Sequence, residues 1–266
     1  MLLDTDKIFV GESKSILAFE TEGNDAWPEW DRFISIDGKK AFEIGNICGT
    51  CEFYFKRLEG ANRGIDPKPV VDVLNSGLTS LSDKLVHQLG MLLPNGPYRV
   101  LLSEIVPSLV SPGDSDDYFV DEQIENWGLD AFYNLPHFPH TEYYRIDKKH
   151  IDPTTSFFEF LIPTFPQNWL NGETVETYKK AIAANRKPTA ISLSVLDIKE
   201  PASVEGELGV QSHWCLAHYL VDGHHKVFAA AQNSAPLTLL SFVALEHGVS
   251  NTTDIDLLTR SILPRN

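Results

Sequence analysis

The stretch that decides the fold runs from His213 to Ala231. An apolar segment, His213 to Val221, enters Asp222-Gly223-His224-His225-Lys226, and Ala229-Ala230-Ala231 follows. The apolar run has the length of a strand, and the alanines favour a helix. The five residues between them therefore sit where a strand hands over to a helix. Such a junction suits an anion. The first helical N–H groups lack intrahelical partners, and the helix dipole adds positive potential there. Gly223 offers close backbone approach and tolerates positive φ. Lys226 and either imidazole can neutralise phosphate oxygens. His224 or His225 can move a proton near neutral pH, and Asp222 can hold a magnesium ion or orient a histidine. The bland reading is an ordinary Asp-Gly turn with solvated histidines.

Outward from this turn, Phe157 to Ile162 reads as a strand ended by Pro163. Gly172-Glu173 opens a helix through Asn185, with Val175, Tyr178, Ile182 and Ala183 near one face. Thr189 to Leu196 and Leu237 to Leu245 are further strands, and a loop with Pro201 and two glycines follows the first of them. The order is β-α-β-β-turn-α-β. Earlier in the chain, Ser15 to Phe19 is a short apolar run, and Arg32–Ile36 and Lys40–Ile44 flank Asp37-Gly38, a two-residue hairpin signal. Val70, Val71, Val73 and Leu74 form a helical pattern stopped by Gly77. Ser82-Asp83 opens a second helix with Leu85, Val86, Leu89, Leu92 and Leu93 on one face. Tyr98 to Leu102 is a strand, and residues 111–150 read as irregular. The expected class is α+β: a mixed N-terminal region, 1–150, and a small α+β domain, 151–266.

Over roughly residues 155–246, the element order and the Asp222-Gly223-His224-His225-Lys226 turn with Ala229-Ala230-Ala231 resemble the ParB/sulfiredoxin-like superfamily. The resemblance implies a site for ATP, CTP or ADP, with Gly223, His224, His225 and Lys226 lining the phosphates and Mg²⁺ accompanying them. For its phosphotransferase-like members it implies a glutamate near the start of the first helix, for which Glu173 is the candidate. The resulting acid–base set is His225, Asp222 and Glu173, and the expected function is a nucleoside-phosphate-binding phosphotransferase or nucleotide hydrolase. Two departures narrow this. The reactive cysteine of sulfiredoxins is replaced by His224, and Lys226 stands for the usual arginine, which keeps the charge but not bidentate binding. The alternative is a non-enzymatic acidic module that binds a protein partner, with zinc as a staple.

Three cysteines are too few, and odd in number, for a disulfide framework. Cys48-Gly49-Thr50-Cys51 has the spacing of half a zinc site, or of a redox pair, or of neither. In a strand, alternate residues share a face, so His213 and Cys215 can complete a structural Zn²⁺ site with Cys48 and Cys51. His137 and His140 are a rival pair, and three reduced cysteines with Cys215 buried is the bland reading.

The chain carries 22 Lys and Arg against 37 Asp and Glu, a net charge of −15. Duplex nucleic acid is bound by displacing counterions with basic side chains, so this balance argues against it and against anionic membrane surfaces. No apolar run reaches the roughly 18 residues of a membrane span. The first residues turn acidic at once, unlike a secretory leader, and the expected location is the cytoplasm.

Overall fold

The computed structural model describes residues 1–62, 71–128, 141–202 and 211–262. In chain order the strands are β1 (Leu2–Val10), β2 (Leu17–Glu22), β3 (Asp31–Ile36), β4 (Lys39–Asn46), β5 (Lys56–Arg57), β6 (Gly96–Ile105), β7 (Ser108–Val110), β8 (Tyr143–Asp152), β9 (Thr155–Ile162), β10 (Thr189–Lys199), β11 (Ser212–Asp222) and β12 (Leu237–Ala244). The helices are α1 (Val71–Ser76), α2 (Asp83–Gly90), α3 (Glu122–Trp127), α4 (Gly172–Ala183), α5 (His224–Asn233) and α6 (Thr252–Ile262). The class is α+β, as the sequence predicts.

Eight strands form one mixed sheet in the order β1-β6-β12-β10-β11-β9-β8-β7, and β2-β3-β4-β5 form a second, antiparallel sheet. At the centre of the large sheet β10 runs antiparallel to β11 and parallel to β12, while β11 runs parallel to β9. These four strands are the apolar segments read from the sequence, and β10, β11 and β12 are buried along nearly their whole length. Strands covered on both faces carry such continuous apolar runs.

The two faces do different work. Ile191, Leu193, Val195, Cys215, Ala217 and Tyr219 point into a core shared with Ile34, Phe42 and Ile44 of the small sheet and with Val86 and Leu89 of α2. On the opposite face, Ala190 and Leu220 lie under Val175 and Ile182 of α4 and Val227 and Ala230 of α5. Leu196, Leu216 and Val243 lie under Ile255 and Leu258 of α6. Between these two apolar patches runs a buried polar row, Ser241, Ser192, Ser194 and His218, continued by Glu159.

Local chemistry fixes several ends. The β3–β4 hairpin turns at Asp37 and Gly38, both with positive φ (51° and 69°), as the Asp-Gly pair predicts. The side chain of Asn171 accepts from Thr174 N–H at 2.9 Å and caps α4, whose buried Val175 and Ile182 face the sheet.

The structure revises two expectations. Residues 111–150 contain β7's partner β8 and the short helix α3, where the sequence reads as irregular. β8 alternates half-exposed and exposed positions over most of its length, so it has no apolar signature and owes its place to pairing with β9. The boundary at 150 falls inside β8, and β1 and β6 join the large sheet beside β12. The N-terminal region and the C-terminal segment thus share one sheet. Pairing between distant strands has no local sequence signal, which is why the 1–150 and 151–266 division misses it. Among the described residues no helix is long and apolar enough to cross a membrane.

Candidate functional site

The strand-to-helix turn lies where the sequence places it. β11 ends at Asp222, Gly223 takes φ +100° at the N-cap of α5, and His224 starts the helix. A cleft of about 200 Å³ opens over the turn, walled by Asn75, Thr164, Phe165, Thr174 and Tyr178 together with Asp222 to Lys226. The residues predicted to line the phosphates, Gly223, His224, His225 and Lys226, all border it.

Their individual roles differ from those read off the sequence. A Cβ on Gly223 would lie 2.7 Å from Ala190 Cβ and 2.9 Å from its Cα, so the glycine is required by contact with β10. His224 is buried and stacked on Phe165, with ring centroids 3.8 Å apart. Its Nε2 accepts from Thr164 N–H at 3.1 Å and lies 2.7 Å from Thr164 Oγ1. The proton is therefore on Nδ1. Burial, with His225 adding to it, pulls this imidazole down to about 3, so it is neutral and anchors the turn to the segment after β9.

Lys226 is likewise buried. Its Nζ donates to Thr189 O at 2.9 Å and to Asp222 Oδ2 at 3.2 Å, one helical turn away. Burial lowers its pKa and Asp222 opposes that. The ammonium thus ties α5 to β10 and does not reach outward as a free cation.

His225 is the imidazole that meets solvent. Its Nε2 accepts from Asn171 N–H at 3.0 Å, which leaves the proton on Nδ1. Burial lowers its pKa against the pull of Asp222. The ring therefore presents an N–H donor at the free end of the helix, where an anion could take it. Tyr178, whose hydroxyl donates to Asn75 Oδ1 at 2.7 Å, closes one wall of the cleft and ties α4 to α1. Glu173 is exposed on the first turn of α4 and does not line the cleft.

The predicted zinc ligands are not assembled. Cys48 and Cys51 are joined by a disulfide. His213 and Cys215 do share a face, but both address Tyr118, whose hydroxyl lies 2.9 Å from His213 Nδ1 and 3.8 Å from Cys215 Sγ. Burial pulls His213 down to about 4 and pushes the Cys215 thiol up. A bonded cysteine pair has no thiolate to offer, and among the described residues no group of three or more His, Cys, Asp or Glu could hold a metal ion. His137 and His140 lie outside the described residues.

Sequence reasoning missed one constellation of nucleophile type. His218 Nε2 is 3.0 Å from Glu159 Oε1 and His218 Nδ1 is 2.7 Å from Ser194 Oγ, which also contacts Ser192. The alternation of Ser192 and Ser194 on one strand face is its only trace in the sequence. Ser194 is wholly buried, so no substrate can reach it, and the group serves as a satisfied polar seam between the apolar patches. No known family model, curated protein or solved structure matches this chain.

Proposed function

We propose that the chain binds a nucleoside phosphate in the cleft at the start of α5. The observation that carries the reading is the convergence on one cleft of the first turn of α5, the His225 imidazole and the Asp222 carboxylate. The phosphates meet the N–H groups of the turn and the helix dipole. Asp222 spends Oδ2 on Lys226, and its other oxygen is a hard donor of the type Mg²⁺ prefers. Magnesium supplies charge neutralisation for phosphoryl transfer or hydrolysis, reactions that need positioning more than covalent help from protein. His225, whose Nε2 is held by Asn171 N–H, offers its Nδ1–H to a phosphate oxygen. Glu173 stays outside this set.

A thermal-shift screen with ATP, ADP, CTP and GTP, with and without Mg²⁺, tests the reading. A ligand at a hundredfold excess over Kd stabilises by about 2.7 kcal/mol. The shift should vanish in His225→Ala and Asp222→Asn. A flat response to all four favours a second reading, a protein-binding module in which the turn is only a joint. That reading is supported by the internal use of Lys226 and His224 and by the net charge of −15.

A further inference from the structure

We propose that Cys48 and Cys51 are a reversible dithiol–disulfide pair that exchanges with low-molecular-weight disulfides, with Cys48 as the attacking thiol. Two features of the loop carry this. The first is the environment of the Cys48 sulfur. Cys51 N–H donates to it at 3.1 Å, and the Thr50 hydroxyl lies 3.3 Å from it. A bonded sulfur has no proton, so the hydroxyl is the donor. Both donors would hold a thiolate more tightly than a thiol or a disulfide sulfur, because hydrogen bonds to a charged acceptor are the stronger ones. The Lys199 ammonium bonds the carbonyl of the same residue, 2.7 Å from Cys48 O. Such surroundings depress a thiol's pKa and raise its thiolate fraction at neutral pH.

The second feature is that the loop is held without the disulfide. Lys199 Nζ bonds the carbonyls of Asn46 and Cys48, Glu200 N–H bonds Gly49 O at 2.8 Å, and Trp127 Nε1 bonds Thr50 O at 3.0 Å. Cys48 N–H is taken by Asn46 Oδ1 at 3.0 Å. Three consecutive positions, Cys48 to Thr50, are thereby fixed to the end of β10 and the residue after it, to α3 and to the end of β4. The disulfide itself closes a loop of sequence separation 3, the kind that constrains an unfolded chain least. A bond contributing so little to stability, in a loop that keeps its shape without it, is suited to opening and closing. Both cysteines are half-exposed, whereas Cys215 is buried.

The exchange runs as follows. The Cys48 thiolate attacks one sulfur of RS–SR, forming Cys48–S–S–R and expelling RS⁻, which takes a proton. Cys51 gives its proton to solvent and attacks Cys48 Sγ. The mixed disulfide breaks, the Cys48–Cys51 bond forms, and a second RS⁻ leaves. Two electrons pass from the protein dithiol to RSSR, which becomes two RSH. Reduction of the pair by two equivalents of a monothiol is the reverse.

The test uses the full chain in glutathione buffers of graded redox poise, with thiols trapped by a maleimide and counted by intact mass. The expected result is two thiols appearing and disappearing reversibly without denaturant, and Cys215 unlabelled throughout. In Cys51→Ser the alkylation rate of Cys48 should titrate with a midpoint below the ordinary value of about 8.5. At pH 6 it should exceed that of Cys51 in Cys48→Ser at least tenfold, and Thr50→Val should raise the Cys48 midpoint. Melting temperatures of the single variants near that of wild type show that the loop persists. A pair that resists reduction in the native state overturns the proposal. So does a Cys48 midpoint at or above 8.5, equal reactivity of the two single-cysteine variants, or a zinc ion that co-purifies and is lost in Cys48→Ser.

Discussion

Arg32 of β3 and Asp197 of β10 form a two-pronged ion pair that bridges the two sheets, Nη1 to Oδ1 at 2.9 Å and Nη2 to Oδ2 at 2.6 Å. Both are buried. Further bonds are local, and only Arg32 Nε is buried without a partner among the atoms of the pair. Arg32 also donates to the carbonyls of His247 and Ile44, and Asp197 Oδ1 accepts from Val249 N–H. The pair therefore fixes the small sheet, the centre of the large sheet and the loop before α6 to one another.

Removing one partner leaves an uncompensated buried charge. Arg32→Ala should cost about 3–5 kcal/mol, and Asp197→Ala a similar amount. The double variant Arg32→Met/Asp197→Leu should recover much of that loss, because no charge is then stranded. Urea denaturation of the four proteins checks it. Burial alone would raise the Asp197 pKa, but Arg32 outweighs it and holds the carboxyl low. This contribution is present above the unfolded value of about 3.9 and is lost as pH falls through the lower folded value.

Gly223→Ala should destabilise by about 1–3 kcal/mol, since the new Cβ meets Ala190 and the backbone keeps φ +100°. Ala190→Gly in the same chain should restore part of the loss by removing the contact with Ala190 Cβ, while the 2.9 Å approach to its Cα and the strain remain. Equal stability of Gly223→Ala and wild type would show that the turn is looser than described.

Lys226→Ala should lower the melting temperature of the ligand-free protein. The sequence suggests an ammonium that meets only a ligand. The structure gives it Thr189 O and Asp222 instead, so the substitution strands a buried carbonyl and a carboxylate, worth about 1–3 kcal/mol. An unchanged melting curve would contradict the strut role.

Stability should fall as pH drops from about 6.5. His224 is held down to about 3 and His213 to about 4, chiefly by burial, whereas in the unfolded chain both titrate near 6.5. The unfolded state then binds more protons, so stability rises with pH across this window and is fully present above it. Folding free energies measured between pH 4 and pH 7 should show a shallower slope in His224→Gln than in wild type, and shallower again with His213→Gln added.

Much of the centre of the fold is legible in the sequence. β9, α4, β10, β11, α5 and β12 follow from apolar runs and caps, and the Asp37-Gly38 hairpin from turn chemistry. β1 and β8 escape detection because the polar run Asp4 to Lys7 interrupts β1 and most of β8 is half-exposed or exposed, and their strand state comes from their pairing partners. The site is legible in place and not in role. The residue types at 222–226 announce a charged turn, but whether a lysine reaches out or folds under depends on Thr189 O lying 2.9 Å away, which no local pattern encodes. The pairing of Cys48 with Cys51 is equally silent, since one spacing serves metal, redox and chance alike.

The placement of β6 against β12 bears on how the protein is made. Val100 and Leu102 of β6 pair with Phe242 and Leu240 of β12, so a chain growing from its N-terminus carries an apolar strand with one open edge until residues 237–244 emerge. Open edges of this kind recruit other strands, and pairings between distant segments close slowly. From the emergence of β6 until that of β12 the nascent protein thus keeps one strand edge open, and a chain halted before residue 237 keeps β6 without its β12 partner.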